Sequence, residues 1–163
     1  MFGTEGAEPP RERRILTAVA DVRFRPLTEL DIESVTRIDE RVTGQYRPDV
    51  WEQRIGYYIR RDPESSQVAE LEGAVVGFML GEVRGGEFGL DEPTGWVEFF
   101  GVDPKARGKD LGTGLLDALL GHFRERGAQI ARTIVADRDR EIAGFIGKMG
   151  FERAPLTAYE RRL

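Results

Sequence analysis

The chain of 163 residues has no cysteine, a single histidine (His122), three methionines and two tryptophans. Without cysteine there are no disulfides, no thiolate metal centre and no thiol nucleophile. One histidine excludes multi-histidine metal sites and most zinc chemistry, so a protein working without a metal is expected. No apolar run approaches the roughly 20 residues of a membrane span. The opening MFGTEGAEPPRERR has no apolar stretch of the signal-peptide kind. A cytoplasmic protein with no membrane contact is therefore the expectation. A continuous basic face is missing as well. The 24 Lys and Arg are mixed among 29 Asp and Glu, for a net charge of −5, which argues against nucleic acid as a partner.

The 40% of hydrophobic residues suffices for one domain with a core of its own. Residues 1–20, with Gly3, Gly6, Pro9, Pro10 and the basic run Arg11–Arg14, read as a flexible tail ahead of a single domain over 21–163. In that domain DVRFRPL alternates Val22 and Phe24 against Arg23 and Arg25, a half-buried strand closed by Pro26. A helix follows over residues 28–42. Thr28 and Asp31 make a near capping box, Leu30, Val35, Ile38 and Val42 supply the apolar stripe, and Gly44 stops it. A second helix starts at Pro48 and ends at Asp62-Pro63, with Trp51, Tyr57 and Tyr58 as packing residues. QVAELEG and AVVGFMLGEVRG form a hairpin through Glu72-Gly73. The strand WVEFFGV (96–102), a helix to about Arg126, the strand QIARTIVA (129–136), a helix over 139–150 and one or two short closing strands in FERAPLTAYERRL complete the order. This predicts an α/β (α+β) architecture, one mixed sheet with helices on both faces.

The most informative stretch is Val102-Asp103-Pro104-Lys105-Ala106-Arg107-Gly108-Lys109-Asp110-Leu111-Gly112, which leads from a strand into a helix. Free N–H groups and a positive partial charge at the helix start suit an anion, and glycines let the backbone approach it. No Walker A spacing occurs. Asp117 stands where a dinucleotide fingerprint needs its third glycine, and about nine residues separate strand from Gly112 where that fold turns at once.

The pattern resembles instead the coenzyme A pyrophosphate loop of the GNAT N-acetyltransferase superfamily. The element order over about residues 21–163 and the ending EIAGFIGKMGF (141–151) are similar too, and RIDERVTG…RPDVWEQRI with WVEFFGV resembles a prokaryotic subgroup. The resemblance implies the GNAT fold, a central and mostly antiparallel mixed sheet flanked by helices on both faces. It implies an acetyl-CoA-dependent N-acyltransferase, with acetyl-CoA as co-substrate, a small-molecule or protein amine as acceptor, direct attack in a ternary complex, and a homodimer as an option. Backbone groups of Gly108, Lys109, Leu111, Gly112 and Thr113, with Arg107, would surround the pyrophosphate, and those of Phe100, Gly101 and Val102 would pair with the pantetheine arm. Gly101 in the strand reads as a bulge or a close approach.

Three positions depart from the family's pattern. Its inner loop glycine is Asp110, its frequent general-acid tyrosine is Ile146, and its asparagine, a coenzyme contact, is Asp139. Asp110 is expected to cap the following helix by accepting an N–H, with its carboxylate turned from the phosphates. Alternation puts Trp96, Glu98, Phe100 and Val102 on one face of their strand. A carboxylate between aromatics on a central strand is costly to bury unless used or paired, which makes Glu98 the candidate base. Tyr159, on the expected last strand, is the candidate substitute acid. Arg41, Gln45, Tyr46 and Arg47 would line the acceptor side, where the two arginines could hold an acceptor carboxylate. His122 falls beside the apolar stripe Leu111, Leu115, Leu116, Leu119, Leu120 and Phe123, toward solvent. A non-catalytic acyl-CoA-binding module is the rival reading.

Overall fold

The computed structural model describes residues 21–163; the expected tail over 1–20 lies outside the described residues. Five strands form one sheet in the order β1-β2-β3-β4-β5: β1 (Val22–Pro26), β2 (Gln67–Leu71), β3 (Ala74–Arg84), β4 (Thr94–Val102) and β5 (Ile130–Thr133). All neighbours are antiparallel except β4 and β5, which run parallel. The parallel step is made by the crossover helix α3 (Leu111–Glu125), while α1 (Ile32–Thr43) and α2 (Pro48–Arg61) lie between β1 and β2 in the chain and α4 (Arg140–Lys148) follows β5. No helix among the described residues is long and apolar enough to cross a membrane.

The two faces of the sheet carry separate cores. On one, Val35 and Ile38 of α1 and Trp51, Ile55 and Tyr58 of α2 pack on Val68, Phe78 and Leu80. On the other, Leu111, Leu115, Leu116, Leu119 and Phe123 of α3 pack on Ala69, Met79 and Val97, and Phe145 of α4 and Met149 just after it join them. Two glycines let the end of α3 sit close to the sheet: a Cβ on Gly95 would lie 2.1 Å from Phe123 Cδ2, and one on Gly81 would lie 2.8 Å from Phe123 Cζ.

Local signals place the ends of the elements. Asp31 accepts the Thr28 N–H at 2.8 Å, and Gly44 closes α1 in the left-handed region at φ 77°. The Glu72-Gly73 turn has φ of 51° and 81°, the geometry of a tight hairpin. Gly150 (φ 87°) ends α4, with Gly150 N–H donating to Gly147 and Phe151 N–H to Ile146. That double bond pattern is a Schellman stop, and it is the physical content of the MGF ending.

Four expectations need correction. The residues after Phe151 form no strand; the sheet already ends at β5, and Tyr159 stands 93% exposed. The last strand is shorter than its apolar run, ending at Thr133 with Ile134 at 76% exposure. Leu30 and Val42, expected in the α1 stripe, are exposed. Leu30 lies in a 3-10 turn (Glu29–Asp31) whose geometry precedes the α period, and Ile32 packs on the core instead. His122 is not turned to solvent: its Nε2 lies 2.8 Å from Asp62 Oδ2 and its side chain is 10% exposed.

Candidate active site

The site is organised by an irregularity in β4. Leu80 of β3 is paired with Phe99 and Gly81 with Val97, so Glu98 is an extra residue with no partner on β3. Such a bulge bends the strand and reverses side-chain alternation beyond it. Val97 and Phe100 consequently both pack toward α3, while Phe99 packs toward α1 and α2. The expected grouping of Glu98 with Phe100 on one face is therefore corrected: the Glu98 carboxylate reaches Tyr58 of α2. Gly101 is the close approach and not the bulge, since a Cβ there would lie 2.9 Å from the Phe78 ring.

The same strand has an open edge. Its pairing with β5 covers Thr94 to Val97 only, and the Thr133 hydroxyl closes it by donating to the Val97 carbonyl at 2.8 Å. From Phe99 to Val102 the β4 backbone is paired on the β3 side alone, Glu98 is paired on neither side, and all five residues are partly exposed. Unpaired strand backbone next to an open cleft can accept an extended chain as an added strand.

The open edge leads into the glycine loop. Asp103 anchors it: its N–H donates to the Val76 carbonyl at 2.7 Å, its Oδ1 accepts the Lys105 N–H at 3.0 Å, and its Oδ2 accepts from Arg41 at 2.5 Å. Gly108 turns the chain at φ 83° with nothing within 4 Å of a would-be Cβ. Asp110 then takes the left-handed conformation (φ 55°, ψ 27°) at the start of α3. Its side chain makes no cap hydrogen bond, which corrects the expected capping role. The position needs a positive φ, the reason a glycine suits it, and aspartate is among the few other residues that enter this region at modest cost. Intrahelical bonding begins with the Gly114 N–H on the Asp110 carbonyl, so the N–H groups of Leu111, Gly112 and Thr113 precede the first bonded turn. A Cβ on Gly112 would lie 3.3 Å from Phe145 Cζ, and Gly114 is a packing residue, its would-be Cβ 2.0 Å from the Phe24 ring. Arg107, Lys109 and Asp110 are exposed around this turn, and Asp139 is the half-buried residue preceding α4.

On the α2 face of the bulge lies a cavity of about 380 Å³ lined by Gln53, Arg54, Tyr57, Tyr58, Arg84, Glu98 and Phe99. Glu98 accepts from the Tyr58 hydroxyl and, at 2.9 Å, from Arg84 Nη2. Arg84 is in turn held by the buried Glu82 at 2.9 Å, and Glu82 also accepts from Tyr57 at 2.9 Å and from Arg61. Burial pushes the Tyr58 phenol up and its bond to the Glu98 anion pushes it further, so it stays a donor. Burial opposes the charge on Arg84, yet Glu98 and Glu82 hold it well above the ordinary guanidinium value. A carboxylate has about four lone-pair positions. With two donors fixed, Glu98 keeps acceptor capacity toward the cavity, where its side chain is 26% exposed. A larger cavity of about 540 Å³ is lined by Arg60, Arg61, Asp62, Glu82, Val83 and Arg126; no residue of β4 reaches it.

The other expected acceptor residues sit apart from this network. Arg41 is engaged by Asp103, and Arg47 grips Asp39 with contacts of 2.8 to 3.1 Å. Tyr46 donates to Glu33 at 2.9 Å beneath Arg37, and Gln45 is exposed. Both arginines are thus occupied by the chain's own carboxylates. Ile146 is buried in α4 and carries no proton. Tyr57, Tyr58, Arg54 and Arg84 were missed as site residues. The helical spacing of Arg54, Tyr57 and Tyr58 was the available signal, but it is the same signal that packing gives.

An open strand edge runs from a carboxylate, Glu98, to a glycine turn at the start of a helix. The Acetyltransferase (GNAT) family model matches residues 31–151, and the chain belongs to that family. It is 35% identical over 101 residues to a mycothiol acetyltransferase of Thermobispora bispora, covering 62% of this chain and 34% of that protein; the chain thus spans about a third of that relative's length. Ard1 from Thermoplasma volcanium superposes with a TM-score of 0.67 at 29% identity, covering 80% of this chain and 82% of the other. An aminoglycoside N-acetyltransferase, AAC(6′)-Iy, in complex with coenzyme A gives a TM-score of 0.78 at 16% identity over 91% and 99% of the two chains, a likeness of fold.

Proposed function

We propose that this chain transfers an acetyl group from acetyl-CoA to a primary amine by direct attack in a ternary complex. The observation that carries the reading is the free β4 edge from Glu98 to Val102, which runs from the candidate base to the glycine turn. Phe100, Gly101 and Val102 would pair with the pantetheine arm, and one of their N–H groups would polarise the thioester carbonyl. Gly108, Lys109, Asp110, Leu111, Gly112 and Thr113 would surround the pyrophosphate through backbone N–H groups, with the Arg107 and Lys109 charges beside them and Asp139 across the cleft. Acetyl-CoA supplies the activated acyl group.

The amine nitrogen must be neutral to attack. Glu98 would take its proton, directly or through one water, as the new C–N bond forms and the C–S bond breaks. Arg84 and Tyr58 fix the carboxylate so that a free lone pair faces the cavity, which makes them positioning residues. No side-chain acid stands at Ile146, and Tyr159 is far out in solvent. A thiol of ordinary pKa, about 8.5, leaves well enough as thiolate for water to protonate it.

The test is an acetyl-CoA titration by calorimetry, followed by an amine panel read by thiol release. Glu98→Gln is expected to keep coenzyme binding and lower kcat by ~10²–10⁴. Binding of acetyl-CoA with no amine ever acetylated, by either protein, would make this a non-catalytic acyl-CoA-binding module.

A further inference from the structure

We infer that Arg54 selects the acceptor, and that the acceptor is an amine that also carries an oxyanion, a carboxylate or a phosphate ester. The inference rests on the acetyltransferase reading and names the substrate class of the same site.

Arg54 stands three residues after Trp51 and four before Tyr58, so all three share one face of α2. Its guanidinium lies over two aromatic rings, 4.3 Å from the Phe99 centroid and 5.0 Å from that of Trp51. The two rings stand at 80° to each other, so the guanidinium lies flat on one at most, and a contact with a ring face leaves N–H donors for an oxyanion. Neighbouring cations are committed: Arg84 to Glu82, Glu87 and Glu98, and Arg61 to Glu82. Arg54 has no carboxylate partner among the described residues, although it lines the same cavity as Glu98. Two rings hold it in place, which lowers the ordering cost of capturing a ligand.

The cavity therefore offers one carboxylate for an ammonium or amine and one fork of donors for an oxyanion. A planar guanidinium matches carboxylate and phosphate in two-point geometry. A polycation is a poor complement, because a second ammonium would face Arg54 with nothing to pair it. Arg41 and Arg47, the arginines expected to do this work, are satisfied internally.

The test uses the full chain with acetyl-CoA. The amines are amino acids as free acids, the same amino acids as carboxamides, O-phosphoethanolamine beside ethanolamine, and spermidine. Within a matched pair the oxyanion form is expected to have a kcat/KM about tenfold or more higher, carried by KM; which arm responds separates carboxylate from phosphate. Arg54→Gln should collapse that ratio toward one, and Arg54→Lys should restore part of it, as expected for charge without the fork. Preference for the neutral forms or for spermidine overturns the inference. So does an equal effect of Arg54→Gln on both members of a pair, whereas binding of acetyl-CoA with no acetylation in any series overturns the acetyltransferase reading and this inference with it. Failure to bind acetyl-CoA at all would be a failure of the acetyltransferase reading itself.

Discussion

Replacing Asp110 tests how the glycine turn is built. The residue sits at φ 55° with no side-chain cap bond. A left-handed L-residue costs roughly 1–2 kcal/mol, less for aspartate, so Asp110→Gly relieves about 1 kcal/mol. Against this, glycine loosens the unfolded chain by about 0.4–1 kcal/mol, and the lost carboxylate at a helix start removes about 0.3–1 kcal/mol. The sum stays within about 1 kcal/mol of zero. Asp110→Ala loses the same charge but keeps the strain, and should lie about 1 kcal/mol below the glycine variant. For a chain of this size that is a gap of roughly 2–4 °C in Tm. The carboxylate also bears on the coenzyme. At an assumed ~6 Å in water, each phosphate charge repels it by ~0.7 kcal/mol, reduced by salt, so the glycine variant should bind acetyl-CoA only a few-fold tighter. Differential scanning calorimetry of both variants and a coenzyme titration check this. An alanine variant as stable as the glycine one would refute the left-handed assignment. A glycine variant destabilised by well over 1 kcal/mol would show that the side chain bonds the helix after all.

Two further outcomes follow from the packing and from the buried ion pairs. Gly95→Ala drives a methyl to 2.1 Å from the Phe123 ring and should cost about 1–3 kcal/mol, seen as a lower urea midpoint at unchanged slope; a loss below about 0.5 kcal/mol would contradict the α3 contact. Burial pushes the Asp31 carboxyl up, but Arg25, at 2.8 Å through both terminal nitrogens, and the Thr28 N–H more than reverse this and hold it below its ordinary value. A depressed folded pKa means stability that is present above the unfolded value of about 4 and lost as pH falls through the folded one. Asp31→Asn should therefore be less stable at pH 7 and decline less below pH 4. Parallel stability curves for the two proteins would sink this account.

Much of the frame was legible because it is written in short-range signals. Thr28 with Asp31, Gly44, Pro48, Glu72-Gly73 and Gly150 each impose a backbone conformation that their neighbours cannot override, and the element order follows from them. The C-terminal run misled for the opposite reason. FERAPLTAYERRL is expected to supply one or two short closing strands, but a strand exists only if a partner edge pairs with it, and pairing is not a property of the segment.

The site divides along the same line. The glycine turn, its helix and the acid on the central strand are contiguous in sequence, so their chemistry could be read from Val102 to Gly112 and from Glu98 alone. The facing of the strand beyond Glu98 could not. Alternation from Trp96 sets Glu98 opposite Val97 correctly, but the unpaired residue opposite Leu80 and Gly81 then puts Phe99 on the Glu98 side and Phe100 on the α3 side. Arg41, Arg47 and Arg54 are equally plausible anion binders in a string of letters. Only the packed molecule gives Asp103 to the first and Asp39 to the second and lays the third across two aromatic rings, because a guanidinium is claimed by whichever carboxylate the fold brings within reach.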